Sequence, residues 1–101
     1  MPTDFQLKVY LHTKSIPKGK VSTYSHIAKQ IDSSPRAVAT ALGRNPYKSV
    51  PCHRVVTTTG RLTGYFRNKT IKALEERQLI LEQEGIEFAS NYLVKASYII
   101  N

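Results

Sequence analysis

One break constrains this chain more than any other feature. At Asp32-Ser33-Ser34-Pro35 one helical stretch ends and another starts, with almost no chain between them. Ser34 is a strong helix N-cap, and Pro35 suits the first helical position, where its missing N–H is not needed. On the near side, Ser22 or Thr23 can cap a helix of about Thr23–Ile31, with Tyr24, Ile27, Ala28 and Ile31 at helical spacing. On the far side, about Pro35–Arg44 is Ala-rich and is stopped by Asn45-Pro46. Two short helices joined by a tight polar turn form a helix-turn-helix pattern, with Ala28, Val38 and Ala41 as close contacts between them. The second helix is then the recognition helix. Its small side chains let a backbone approach a groove, and Arg36 stands at its N-terminal end. The competing expectation is an ordinary pair of packed helices.

Charge favours an anionic partner. The chain has 101 residues, 15 Lys plus Arg against 7 Asp plus Glu, and a net charge of +8. From Lys8 to Lys72 the only acid is Asp32, whereas Glu75, Glu76, Glu82, Glu84 and Glu87 cluster late. The first part is expected to present a basic face, with nucleic acid the leading partner, and the late helix an acidic back. A single cysteine excludes an internal disulfide and a Cys-rich zinc site. No apolar run reaches the roughly 20 residues of a membrane helix, and the start lacks a signal-peptide core. The expectation is a monomer without membrane partner, cofactor or metal. Its expected location is intracellular: cytoplasmic in a prokaryote, nuclear in a eukaryote.

The remaining elements follow from spacing and punctuation. Thr3-Asp4 can cap a first helix of about Asp4–Lys14, which Ile16-Pro17-Lys18-Gly19 breaks. Lys20-Val21-Ser22 is short and extended. Arg54-Val55-Val56-Thr57 favours a strand and Thr58-Thr59-Gly60 a turn, before Arg61–Tyr65. An amphipathic helix of about Thr70–Glu84 follows, closed by Gly85. Ile86–Phe88 and Tyr92–Ile100 read as short strands or an extended tail. The predicted fold is mostly α with short β, a winged-helix-like domain containing a helix-turn-helix. Residues 1–101 make one domain, with 89–101 the least determined part.

The chemistry centres on Pro51-Cys52-His53-Arg54. A lone cysteine is commonly a small buried hydrophobe. This one follows a proline and precedes two basic residues, and a histidine can take a thiol proton when a third group orients it. Glu82 and Glu84 are both candidates for that group. Arg54 is expected to brace the loop.

Val50-Pro51-Cys52-His53-Arg54-Val55-Val56 resembles the active-site signature of the O6-alkylguanine-DNA alkyltransferases. Lys20-Val21-Ser22-Thr23-Tyr24 is similar to that family's entry to the helix-turn-helix, and Ser34-Pro35-Arg36-Ala37-Val38 to its recognition-helix start. Arg44-Asn45-Pro46, Gly64-Tyr65 and Glu84-Gly85 also fall in the family's order, so the resemblance runs from about Phe5 to Phe88. It implies binding of duplex DNA in the minor groove and flipping of O6-alkylguanine into a pocket. It further implies irreversible transfer of the alkyl group to Cys52. By the same resemblance Arg36 takes the flipped base's place, Tyr24 presses on backbone and base, and Ser34 and Ala37 belong to the DNA face. Asn45 is the hinge. His53, with a water held by Glu84, activates Cys52. The backbone at Cys52 and Val55 and the side chain of Tyr65 join Tyr24 in lining the pocket.

Three departures from the pattern stand out. The family's N-terminal domain is expected to be absent, Asn45 to Cys52 is one position shorter than expected, and Phe66-Arg67-Asn68-Lys69 replaces a small Gly-rich stretch. Length, loop and the late Ala73-Leu74-Glu75-Glu76-Arg77 run resemble the alkyltransferase-like proteins instead. Those relatives lack the nucleophile and flag alkylated guanine for other repair proteins. A non-enzymatic sensor is therefore the alternative.

Overall fold

The computed structural model describes residues 2–47, 49–62 and 71–100. Helix α1 (Asp4–Lys14) starts at a reciprocal cap: Gln6 N–H donates to the Thr3 hydroxyl, and Thr3 N–H donates to Gln6 Oε1. Strand β1 (Val21–Thr23) runs directly into α2 (Tyr24–Gln30), whose N-cap is Thr23. Helix α3 (Pro35–Gly43) begins at Ser34, which accepts from Ala37 N–H at 3.2 Å. The expected helix-turn-helix is present. Ala28, Val38 and Ala41 are all buried in its core, with Tyr10 of α1 donating its hydroxyl to the Ala41 carbonyl at 2.9 Å.

The second part departs further from expectation. Cys52–Arg54 is one turn of 3₁₀ helix, and only Val55–Val56 (β2) is strand. Arg54 therefore belongs to the turn, because its N–H is taken by the Pro51 carbonyl at 2.9 Å. Helix α4 covers Ile71–Gln83. It closes with Gly85 at φ +94° and Ile86 N–H returned to the Leu81 carbonyl. The late chain is no loose tail. β3 (Phe88–Ser90) pairs antiparallel with β4 (Leu93–Val94), and β5 (Ile99–Ile100) runs parallel beside β1. Tyr65, the Phe66–Lys69 stretch and Thr70 lie outside the described residues.

The three-stranded sheet, in the order β2-β1-β5, separates two apolar clusters. Side chains alternate across a strand. Val55 and Ile100 accordingly pack with Val9, Ile27, Val38 and Leu42 of the helical side, while Val56 and Ile99 pack with Leu62, Leu81, Ile86 and Val94 of the other. No helix among the described residues is long and apolar enough to cross a membrane.

Candidate active site

The site sits where the helical half meets α4. Helix α3 ends at Arg44, and Asn45 then folds the following loop around its own side chain. Asn45 Oδ1 accepts from Tyr47 N–H at 3.0 Å, while Nδ2 donates to the Tyr47 carbonyl at 3.0 Å and the Val50 carbonyl at 3.4 Å. The same Nδ2 lies 3.9 Å from Cys52 Sγ. One amide thus ties the end of α3 to the cysteine. Tyr47 also sets its ring edge-on to Tyr10, centroids 5.9 Å apart. Cys52 is half-buried against the helical core, with its N–H on the Val50 carbonyl at 2.9 Å.

The 3₁₀ turn points His53 and Arg54 towards the end of α4. His53 Nε2 is 3.0 Å from Glu84 Oε2, and Arg54 Nε donates to Glu84 Oε1 at 2.9 Å. Arg54 Nη2 adds a bond to Oε2 at 3.0 Å, and Nη1 donates to the Ile16 carbonyl at 2.9 Å. Burial pushes the Glu84 carboxyl up, but the hydrogen bonds and positive charge of Arg54 and His53 outweigh it and hold the carboxyl below its ordinary value. Glu84 is therefore ionised and acts as an acceptor. Glu84 is not part of a solvated acidic back. The other orienting candidate, Glu82, is exposed. Glu84 meets His53 directly.

Asn45, Cys52, His53 and Glu84 are thus brought together from the α3 exit, the 3₁₀ turn and the α4 exit. The other expected site residues that the structure describes are carried by α2, by β2 and by the start of α3. Arg36 is exposed at the start of α3 and, with Phe5, Gln6, Ser34, Ala37 and Thr40, lines an open cleft of about 440 Å³ against α1. The Ser34 hydroxyl is engaged in capping. Tyr24 is half-buried against the helical core, and the Val55 side chain is buried in it. Tyr65 lies outside the described residues. Sequence reading gave Arg54 a bracing part but did not find its pairing with Glu84, because no local spacing links positions 30 apart. It also missed the bond between Ser25 and Thr58 hydroxyls, 3.0 Å apart, which joins α2 to the turn after β2.

Fold and site together define a helix-turn-helix domain carrying a cysteine on the turn that follows it, backed by a His–Glu–Arg cluster. Residues 4–86 match the family profile described as 6-O-methylguanine DNA methyltransferase, DNA binding domain, and the chain belongs to that family. The methylated-DNA–protein-cysteine methyltransferase of Thermococcus kodakarensis is 45% identical over 87 residues, covering 84% of this chain and 47% of the relative. The chain spans about half the length of the curated relatives it matches. Among solved structures, Mycobacterium tuberculosis OGT in complex with DNA aligns with a TM-score of 0.71 at 40% identity, over 83% of this chain and 51% of that one. S. pombe Atl1, in complex with damaged DNA containing O6-carboxymethylguanine, aligns with a TM-score of 0.81 at 30% identity, over 100% of this chain and 99% of that one.

Proposed function

We propose that this chain repairs DNA by direct reversal, as a single-turnover methylated-DNA–[protein]-cysteine S-methyltransferase. The observation that carries the reading is a cysteine held by Asn45 beside a histidine whose outer nitrogen is bonded to an ionised carboxylate. Helices α2 and α3 bind duplex DNA in the minor groove as part of one folding unit acting as a monomer. Arg36 enters the stack where O6-alkylguanine leaves it, and Tyr24 presses on the flanking backbone. Ser34 and Ala37 lie against the duplex, and Val55 and Tyr65 border the pocket with Tyr24. His53 takes the Cys52 proton. The sulfur then attacks the alkyl carbon, a C–S bond forms and the C–O6 bond breaks. The electron pair leaves on guanine, which takes up a proton. The thioether is stable, so each chain acts once. Such a protein works where the genome is, inside the cell.

A second reading is supported by the end-to-end match with Atl1, which the methyltransferase relatives do not give. On that reading the chain binds O6-alkylguanine without reacting and directs other repair proteins to it. Intact-protein mass after incubation with a duplex containing one O6-methylguanine separates the two. A gain of one methyl, absent in Cys52→Ser, is the expected result. Tight binding with no mass gain overturns alkyl transfer in favour of the sensor.

A further inference from the structure

Glu84 serves two partners, and the second shapes the first. Arg54 meets the carboxylate side-on, Nε to Oε1 at 2.9 Å and Nη2 to Oε2 at 3.0 Å. Its remaining terminal nitrogen is anchored on the Ile16 carbonyl at 2.9 Å, on the chain between α1 and β1. The guanidinium is thus held from both sides, with only 17% of the Arg54 side chain and 11% of the Glu84 side chain exposed. A carboxyl group that is free to rotate and protonate can either donate or accept. A bidentate arginine removes that freedom: it fixes the plane of the group and favours the ionised form. His53 Nε2, 3.0 Å from Oε2, then faces an acceptor and must carry the proton on that nitrogen. Nδ1 keeps its lone pair.

We propose that Arg54 is a positioning residue that holds His53 in the Nε2–H tautomer by locking Glu84, leaving Nδ1 as the nitrogen that can receive the Cys52 proton. Without the lock, Glu84 can turn or protonate, present O–H to Nε2 and move the imidazole proton to Nδ1. The imidazole in that form has no lone pair left for the thiol. The inference deepens the alkyl-transfer reading and rests on it for its effect on rate. Its effect on the tautomer does not depend on any reaction.

The test uses the full chain labelled with ¹⁵N, and His53→Gln assigns the His53 signals among the three histidines, His12, His26 and His53. Long-range ¹H–¹⁵N imidazole spectra at neutral pH are expected to show a single Nε2–H tautomer for His53. Arg54→Gln is expected to give a mixture of tautomers. Arg54→Lys, which keeps the charge without the fork, is expected to give a smaller Nδ1–H fraction. Single-turnover transfer from a saturating O6-methylguanine duplex should fall on the order of 10²-fold in Arg54→Gln, within the range general acid–base catalysis supplies. In Arg54→Lys it should fall severalfold. Pure Nε2–H signals in both variants overturn the proposal. If Arg54→Gln does not fold, Arg54→Lys decides alone: an unchanged tautomer overturns the proposal. If the unsubstituted chain transfers no methyl while the tautomers shift as expected, the alkyl-transfer reading falls and Arg54's role stands.

Discussion

The two sides of the sheet are held together differently. On the helical side, α1, α2 and α3 each begin at a capping side chain a few residues from what it caps, namely Thr3, Thr23 and Ser34. The far side depends on distant partners. Ile99 and Ile100 reach back to β1, and the Gly60 carbonyl accepts from Val94 N–H at 2.9 Å. Local instruction makes the scaffold of the helix-turn-helix, and non-local pairing joins the far side to it. His53, Arg54 and Glu84 bridge the two.

Core truncation puts this comparison under the greatest strain. Ile27 is 1% exposed on the helical side and Leu81 is 0% exposed on the other. Ile27→Ala and Leu81→Ala should each lower unfolding free energy by about 2–5 kcal/mol. Because the shared sheet couples the clusters, both variants should show one denaturant transition with unchanged slope. Two separate transitions would mean that the sides fold independently.

Acid should loosen the bridge first. The Glu84 carboxyl is held below its ordinary value, with burial opposing and the bonds from Arg54 and His53 prevailing. Its contribution is therefore present above the carboxyl's unfolded-state value and is lost as pH falls through the lower folded-state value. Glu84→Gln should be less stable at neutral pH and should flatten the acid limb of a stability–pH curve. An unchanged acid limb would show that the bridge adds nothing to the joint.

A smaller effect is expected at Gly60, which lies at φ +91°, where an added Cβ would come within 3.0 Å of Ile99 Cδ1 and the Val94 carbonyl oxygen. Gly60→Ala should destabilise by about 1–3 kcal/mol, from backbone strain and overpacking. Hydrogen exchange should report the loss in β4 and β5 before α2 and α3. Uniform loss across both sides would erase the distinction.

Smallest of all, Ser34→Ala should remove one cap and about 1 kcal/mol. Its effect on exchange should be greatest in the first turn of α3. Equal loss at β5 would place the cap in the shared framework.

The same contrast explains what was legible. Capping residues and helical spacing are local, so α1, α2 and α3 could be read to within a residue or so. The buried contacts of Ala28, Val38 and Ala41 followed from that spacing. Two-residue strands have no periodicity to read, and β5 is defined by a partner at the other end of the described chain. Arg54 reads as strand because valines follow it, yet its amide closes a turn. Spacing alone left Glu82 and Glu84 open and the resemblance singled out Glu84; the direct bond of its carboxylate to His53 depends on the exit of α4, which Gly85 and Ile86 set only after the helix has packed. The motif around Cys52 indicated where chemistry could occur, but not that an arginine would share the carboxylate.

Strand β1 also gives the molecule a sequence in time. Its own residues come early in the chain and continue directly into α2, yet one of its edges stays open until Ile99 and Ile100 arrive. Loop-closure entropy must be met before so distant a contact can form, so it belongs to the slow part of folding. As the chain leaves the ribosome, the three helices that carry Tyr24 and Arg36 can assemble first. The sheet beside Cys52 is completed only when the final strand docks.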